Sequence, residues 1–363
     1  MPGYRVFATC DIGVEALDRL EERGYQLEVY ESITPPPKRL ILEKVASGID
    51  ALITTLRDEI DEEVLCAGRD TRQVIAQDAA GFDNIDREAA NRYGIPFTHT
   101  ADVLTEATAE FAFFILGCVS RKLYPSEKLV RDGGWETWHP YHPMLGDEVN
   151  GKVVAIIGMG RIGKAFAAMC TGLSVDILCC DRKGEDHEWV AKIQQLLTLR
   201  ADTGLSTHPH RIRHVTFKEA LETGDYISLH VPLNEDTHHL IDRQALGLMK
   251  STAYLINTSR GAVMDEEALV EALKENHIAG AALDVFEQEP LPQDSPLRDP
   301  ALEDRLRLFH HFASGGRRTR LSPDPAIGMA GRTVEGLIQV LERKSDQELA
   351  RIPYVVNKEA FEG

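Results

Sequence analysis

The stretch VVAIIGMGRIGKAFA places Gly158, Gly160 and Gly163 in a G-x-G-x-x-G spacing, directly after an apolar run and ahead of a helical pattern. Each glycine has a physical task at that spacing. The first permits a tight turn, the second lets backbone approach a pyrophosphate, and the third lets helix and strand pack closely. The helix that follows supplies N–H groups and the positive end of its dipole to phosphate oxygens. The glycines alone are a weak signal. Asp181 strengthens it, because the next apolar run ends there, at the distance of about twenty residues where a carboxylate accepts hydrogen bonds from ribose hydroxyls. The competing reading is a glycine-rich turn with a surface aspartate. Asp181 would also repel a ribose 2′-phosphate, which favours NAD over NADP, while Arg182 and Lys183 directly after it would soften that preference.

These residues need a scaffold, and the hydrophobic periodicity supplies one. Short apolar runs at 4–9, 27–30, 51–55 and 73–76 read as strands, with helical spacing between them at Val14, Leu17 and Leu20 and, less cleanly, at Ile60, Val64 and Leu65. A long helical stretch starts near Glu106 and is expected to stop at Gly133–Gly134. The alternation then restarts, with strands at 153–158, 175–180, 226–231, 253–257 and 279–285. Strands alternating with helices imply parallel sheets covered on both faces, here as two α/β halves joined by a helix. The tail from Pro325 repeats apolar residues at helical spacing (Ile327, Met329, Val334, Leu337, Ile338) and could pack back on the first half. The polar stretch from Lys183 to His214 is too long for a structureless link, so a helix is expected around Trp189–Leu199. Its His208 and His210 have metal-ligating side chains but no nearby carboxylates in sequence, and are read as solvated, with no metal expected.

Composition narrows the partners. With 43% hydrophobic and 27% charged residues the chain is an ordinary globular one, long enough for two domains of about 150 residues each. A net charge of −18 makes nucleic acid and anionic membranes poor partners. The longest apolar run, Phe111 to Val119, falls short of the roughly 20 residues a membrane helix needs, and the N-terminal MPGYRVFATCD lacks the features of a signal peptide. The six cysteines contain no C-x-x-C pair, and Cys179 and Cys180 are adjacent in an expected strand, where neighbours point to opposite faces. A cytoplasmic, reducing setting is expected.

Seven segments together carry a resemblance: AAGFDNID (79–86), ATAEFAFFILGCVSR (107–121), GGWETWHP (133–140), IIGMGRIGKAFA (156–167), LHVPLNEDTHHLID (229–242), LINTSRGAVMDEEALVEAL (255–273) and AGAALDVFEQEPL (279–291). The chain closely resembles the D-isomer-specific 2-hydroxyacid dehydrogenase family over nearly its whole length. The resemblance implies two Rossmann-like domains with parallel sheets, a flavodoxin-like substrate domain over 1–103 completed by 331–363 and a dinucleotide-binding domain over 104–330, with the active site in the cleft between them and a homodimer as the usual assembly.

It also implies roles. Arg260 in NTSRG matches the arginine that binds the carboxylate and carbonyl of a 2-oxo acid, a task suited to a planar fork of donors that never loses its charge. Glu289 in FEQEP matches the carboxylate paired with a catalytic histidine, and His311 matches that histidine, which would trade a proton with the carbonyl oxygen as hydride moves. Cofactor contacts are implied for Thr108, Arg161, Ile162, the His230–Val231–Pro232 turn, Thr258 and Asp284, beside the three glycines and Asp181. Substrate contacts are implied for Leu56, Arg57 and the backbone N–H groups of Ala80 and Gly81. Some relatives acting on more acidic substrates have an arginine at the position of Arg57; its plainer reading is a solvated charge. GGWETWHP is similar to the glyoxylate and hydroxypyruvate reductase branch, where the residue matching Trp138 reaches into the neighbouring subunit's active site.

The sequence departs from the family pattern around the histidine. The usual T-P-H and small-residue turn reads FHHFASGGRRTR here. Aligning ASGG and Thr319–Arg320 puts His311 on the catalytic position, His310 in place of proline and Arg318 in place of a common glutamate. The resulting expectation is an NAD-dependent reductase of small 2-oxo acids, glyoxylate or hydroxypyruvate first. Glu289 argues against formate dehydrogenases, which carry glutamine there. The few residues after about 345 argue against phosphoglycerate dehydrogenases. The alternative from another class is a corepressor-like NAD-binding scaffold.

Overall fold

The computed structural model describes residues 3–69, 74–142, 144–206 and 209–361. The chain divides into two compact units, one comprising 1–104 with 314–363 and the other 105–313.

The first unit is built on five parallel strands: β1 (Arg5–Ala8), β2 (Gln26–Val29), β3 (Ala51–Thr54), β4 (Val74–Gln77) and β5 (Phe97–Thr98), in the order β2-β1-β3-β4-β5. Successive residues of a strand point to opposite faces. Val6 and Ala8 accordingly join a core layer with Leu17, Leu20, Val334 and Leu337, while Phe7 joins Ile41, Leu65 and Phe97 on the other side. The Met329–Leu341 helix supplies one of those layers, as the spacing of the C-terminal residues leads one to expect. The return to this unit begins at Ser314 rather than 331. Close packing explains the earlier boundary: a Cβ on Gly328 would lie 2.0 Å from the Ser322 carbonyl oxygen, and one on Gly331 would lie 2.5 Å from the Pro323 backbone. Arg19 also donates to the Pro323 carbonyl at 3.2 Å.

The second unit holds seven parallel strands: β6 (Val153–Ile157), β7 (Asp176–Cys180), β8 (Ile212–His214), β9 (Tyr226–Leu229), β10 (Tyr254–Asn257), β11 (Gly280–Leu283) and β12 (Leu306–Leu308), in the order β12-β11-β10-β9-β6-β7-β8. Ala155 and Ile157 face one layer, Val154 and Ile156 the other. Cys179 and Cys180 divide the same way, and all six cysteines are free thiols. The helix expected between 183 and 214 spans His187–Asp202, buries Ile193 and Leu197, and is capped by Asp186 accepting from the Trp189 N–H.

One expected helix is two. The stretch from Glu106 breaks into Thr105–Ser120 and Leu123–Arg131, with Lys122 at φ 50°. The cause lies downstream. The Asp147 N–H takes the Ser120 carbonyl at 2.8 Å, and the glycine before it comes so close that a Cβ on Gly146 would sit 2.5 Å from that oxygen. His208 lies outside the described residues. His210 is buried with Nδ1 3.3 Å from Asp176 Oδ1. Among the described residues no group of three His, Cys, Asp or Glu side chains could hold a metal, and no helix is long and apolar enough to cross a membrane.

Candidate active site

The ends of β6, β7 and β9 in the second unit surround a cleft of about 740 Å³. Its glycine turn is shaped by close approach. Gly158 has φ 98°, and a Cβ there would lie 2.6 Å from the His230 carbonyl oxygen. A Cβ on Gly163 would lie 2.0 Å from the Gly158 carbonyl oxygen, so helix and strand meet at van der Waals distance only because neither side chain exists. Gly160 is the opposite case: a Cβ there would meet nothing within 4 Å. That open space lies at the N-cap of the Arg161–Cys170 helix, where no side chain caps the first turn. Arg161 and Ile162 occupy that turn, whose N–H groups point out of the helix.

Asp181 stands at the end of β7, where one carboxylate oxygen accepts from the Met159 N–H at 2.7 Å and the other from the Lys183 N–H at 2.8 Å. His230, Val231 and Pro232 form another wall of the same cleft. Burial pushes the His230 imidazole down to about 3, so it stays neutral, with Nε2 2.9 Å from Ser228 Oγ. Thr258 is buried, and its Oγ1 has no hydrogen-bond partner. Thr108 is buried on the Thr105–Ser120 helix. Open room at Gly160, a cradle no Cβ could enter and a carboxylate at the β7 end fit a nicotinamide dinucleotide.

The three residues expected to be catalytic gather on the loops after β10, β11 and β12. Asn257 Oδ1 accepts from the Ser259 N–H and hydroxyl, and its amide donates to the Arg260 carbonyl at 2.9 Å, which fixes the NTSRG turn. Gly261 then packs so tightly that a Cβ would fall 1.8 Å from the Phe286 carbonyl carbon. This contact draws the Arg260 turn against the segment carrying Glu289. Glu289 Oε1 accepts from the Phe286 N–H at 3.0 Å, and Oε2 lies 2.7 Å from His311 Nδ1. Burial pushes the Glu289 carboxyl up, but the His311 hydrogen bond and charge, the Phe286 N–H and the Arg260 charge outweigh it and hold the group below its ordinary value. The structure thus brings Arg260, Glu289 and His311 together. His310 is turned away, exposed and stacked on Phe312 at 4.9 Å.

Asp284 has a task that its motif did not disclose. Its carbonyl accepts from the His311 N–H at 2.8 Å, and its two carboxylate oxygens accept from the Phe312 and Ala313 N–H groups at 2.7 and 2.8 Å. Asp284 is fully buried; desolvation raises its carboxyl against the pull of those two N–H groups and the His311 charge.

On the first unit, the N–H groups of Ala80 and Gly81 have no acceptor among the described residues, although their carbonyls are taken by His99 Nδ1 and Gln77 Nε2. Leu56 is half-buried on the neighbouring loop. Arg57 is exposed and donates to the Ile33 carbonyl at 2.6 Å and to Thr55 Oγ1 at 3.3 Å. Trp138 is 76% exposed, on a segment that also exposes Trp135 and Tyr141. Sequence reasoning missed Asn257, Ser259 and Gly261 as the frame of Arg260; only the small and amide side chains flanking the arginine hinted at a tight turn.

Comparison with known proteins gives the chain its relatives. Residues 113–312 match the family described as D-isomer specific 2-hydroxyacid dehydrogenase, NAD binding domain. The chain is 43% identical over 318 residues to a glyoxylate reductase of Korarchaeum cryptofilum, covering 87% of this chain and 88% of that one. It is 39% identical over 358 residues to a glyoxylate reductase of Thermofilum pendens, covering 98% and 95%. Among solved structures it is similar to the TT0316 protein of Thermus thermophilus, with 37% identity, a TM-score of 0.81 and coverage of 97% and 99%. A glyoxylate reductase of Paecilomyes thermophila gives 26% identity, a TM-score of 0.77 and coverage of 99% and 100%.

Proposed function

The chain belongs to the D-isomer-specific 2-hydroxyacid dehydrogenase family, and from that premise we propose that it is an NAD(H)-dependent reductase of glyoxylate and hydroxypyruvate, yielding the 2-hydroxy acid of the D series where a stereocentre forms. The observation that carries this reading is the 2.7 Å contact between His311 Nδ1 and Glu289 Oε2 beside Arg260. Relatives named glyoxylate reductase support the choice of substrate.

The nicotinamide ring, when bound, supplies the hydride. Arg260 holds the oxo acid through charge-assisted bonds to its carboxylate and carbonyl. Glu289 fixes His311 through Nδ1, so the proton traded with the substrate oxygen sits on Nε2. In the oxidative direction the same nitrogen takes the proton back. Ala80 and Gly81 offer N–H groups suited to a carboxylate. The glycine turn, Asp181 and the His230–Pro232 wall hold the dinucleotide, and the carboxylate at 181 supports NAD over NADP. The exposed aromatic segment around Trp135, Trp138 and Tyr141 supports a homodimer, and the buried free thiols of Cys170 and Cys179 support a reducing compartment such as the cytoplasm.

The test is absorbance at 340 nm with NADH against glyoxylate, hydroxypyruvate, pyruvate, phenylpyruvate and oxaloacetate. Highest catalytic efficiency on the first two is expected. Absence of turnover on all five would contradict the proposal.

A further inference from the structure

The rim of the dinucleotide cleft carries a charge pattern that Asp181 does not explain. Three cations line it, Lys164, Arg182 and Lys183, and two of them are held by acids from elsewhere in the chain. Arg182 is ion-paired with Asp236, which comes from the loop after β9. Lys164 Nζ lies 2.5 Å from Asp186 Oδ2 and 5.5 Å from the centroid of the Trp189 ring, so the first turn of the His187–Asp202 helix holds it on two sides. Lys183 forms no ion pair among the described residues; its N–H is bound to Asp181.

A phosphate monoester carries between about one and a half and two negative charges at neutral pH. A site that accepts it needs cations free to make charge-assisted bonds. Here two of the three rim cations are neutralised in place. We propose that Asp236 and Asp186 are cofactor-specificity residues, which occupy Arg182 and Lys164 and so deny a ribose 2′-phosphate the partners it needs. Asp181 disfavours the phosphate by direct repulsion; these two acids do so by withholding cations. A ribose with a free 2′-hydroxyl gains and loses little from either pair. Lys183 is then the one of the three rim cations left to a 2′-phosphate.

This inference rests on the dinucleotide reading of the cleft, so its test uses binding alone. Calorimetric titration of the full chain with AMP and with adenosine 2′,5′-bisphosphate separates the two. Both rim pairs are solvent-accessible, so screening keeps each effect modest. Asp236→Asn is expected to tighten the bisphosphate about three- to tenfold while leaving AMP within about twofold. Adding Arg182→Ala should cancel the gain, and raising salt should shrink it. Asp186→Asn, which keeps a helix-capping oxygen, should give a similar gain that Lys164→Ala cancels. Unchanged bisphosphate affinity in both aspartate variants, or a gain that survives removal of the cation, overturns the proposal. Wild-type protein that binds neither nucleotide overturns the dinucleotide reading itself.

Discussion

The main-chain N–H of His311 donates to the carbonyl of Asp284 at 2.8 Å, and the buried Asp284 carboxylate collects the next two N–H groups of the same turn. His311 itself has φ 54°, a left-handed conformation that costs a non-glycine residue about 1–2 kcal/mol. Three bonds to one residue hold it there. The position of the imidazole is therefore set from β11 and not only by the Glu289 contact.

Asp284→Asn replaces one acceptor oxygen by an amide that faces a backbone N–H. The expected result is a stability loss of about 1–3 kcal/mol, from an unsatisfied buried donor, and a fall in turnover larger than any change in NADH affinity. Chemical denaturation and steady-state kinetics check both. Unchanged turnover in a folded variant would show that the clamp does not position His311.

Glu289→Gln removes the negative charge 2.7 Å from His311 Nδ1. The Glu289 carboxyl is held below its ordinary value, so it is ionised throughout the neutral range. Its pairing contributes stability above the unfolded carboxyl value near 4.3 and loses it as pH falls through the lower folded value. In the glutamine variant, which keeps a polar partner for Nδ1 but not the charge, turnover should fall by about tenfold while NADH affinity is kept. Unchanged turnover would mean that Glu289 only orients the ring, a task that glutamine also performs.

Asp78 offers a stability prediction of opposite sign. Burial pushes its carboxyl up to about 6, against the Thr333 hydroxyl, which donates to it at 2.8 Å, and the Arg320 charge. A carboxyl whose folded value lies above its unfolded one binds more protons when folded. Stability is thus lost as pH rises from about 4 to 6 and stays lost above. Asp78→Asn should stabilise the protein by about 1–2 kcal/mol at pH 8, with the gain vanishing towards pH 4. Thermal melts across that range decide it, and a pH-independent difference would contradict it.

Arg57 is engaged by the Ile33 carbonyl and Thr55 on its own unit. Arg57→Ala should therefore change catalytic efficiency on glyoxylate and on oxaloacetate alike, by less than about twofold, as for a solvated charge. A loss of about ten- to a hundredfold confined to oxaloacetate, the value of one or two charge-assisted bonds, would show instead that Arg57 reads a second carboxylate.

The features legible in the sequence are those made by neighbours in sequence. The glycine cradle, the carboxylate ending β7 and the alternating strands all express themselves within one strand–turn–helix unit. The short strands β5, β8 and β12, of two or three residues each, leave too little periodicity to read. The helix break at Lys122 is dictated by Gly146 and Asp147, and the Asp284 clamp joins residues 28 apart. Arg182 and Asp236 are 54 apart and share no local pattern. The register through FHHFASGG was legible from the ASGG and Thr319–Arg320 that follow, and the fold puts His311, not the stacked and exposed His310, against Glu289.

The central claim is that His311 carries the proton. Steady-state reduction of glyoxylate by the wild type, His310→Ala and His311→Ala, with NADH affinity measured in parallel, tests it most directly. Expected are a loss of about 10²–10⁴ in turnover for His311→Ala, near-normal NADH binding in both variants, and only a small effect of His310→Ala. A crippled His310→Ala beside a nearly normal His311→Ala would contradict it.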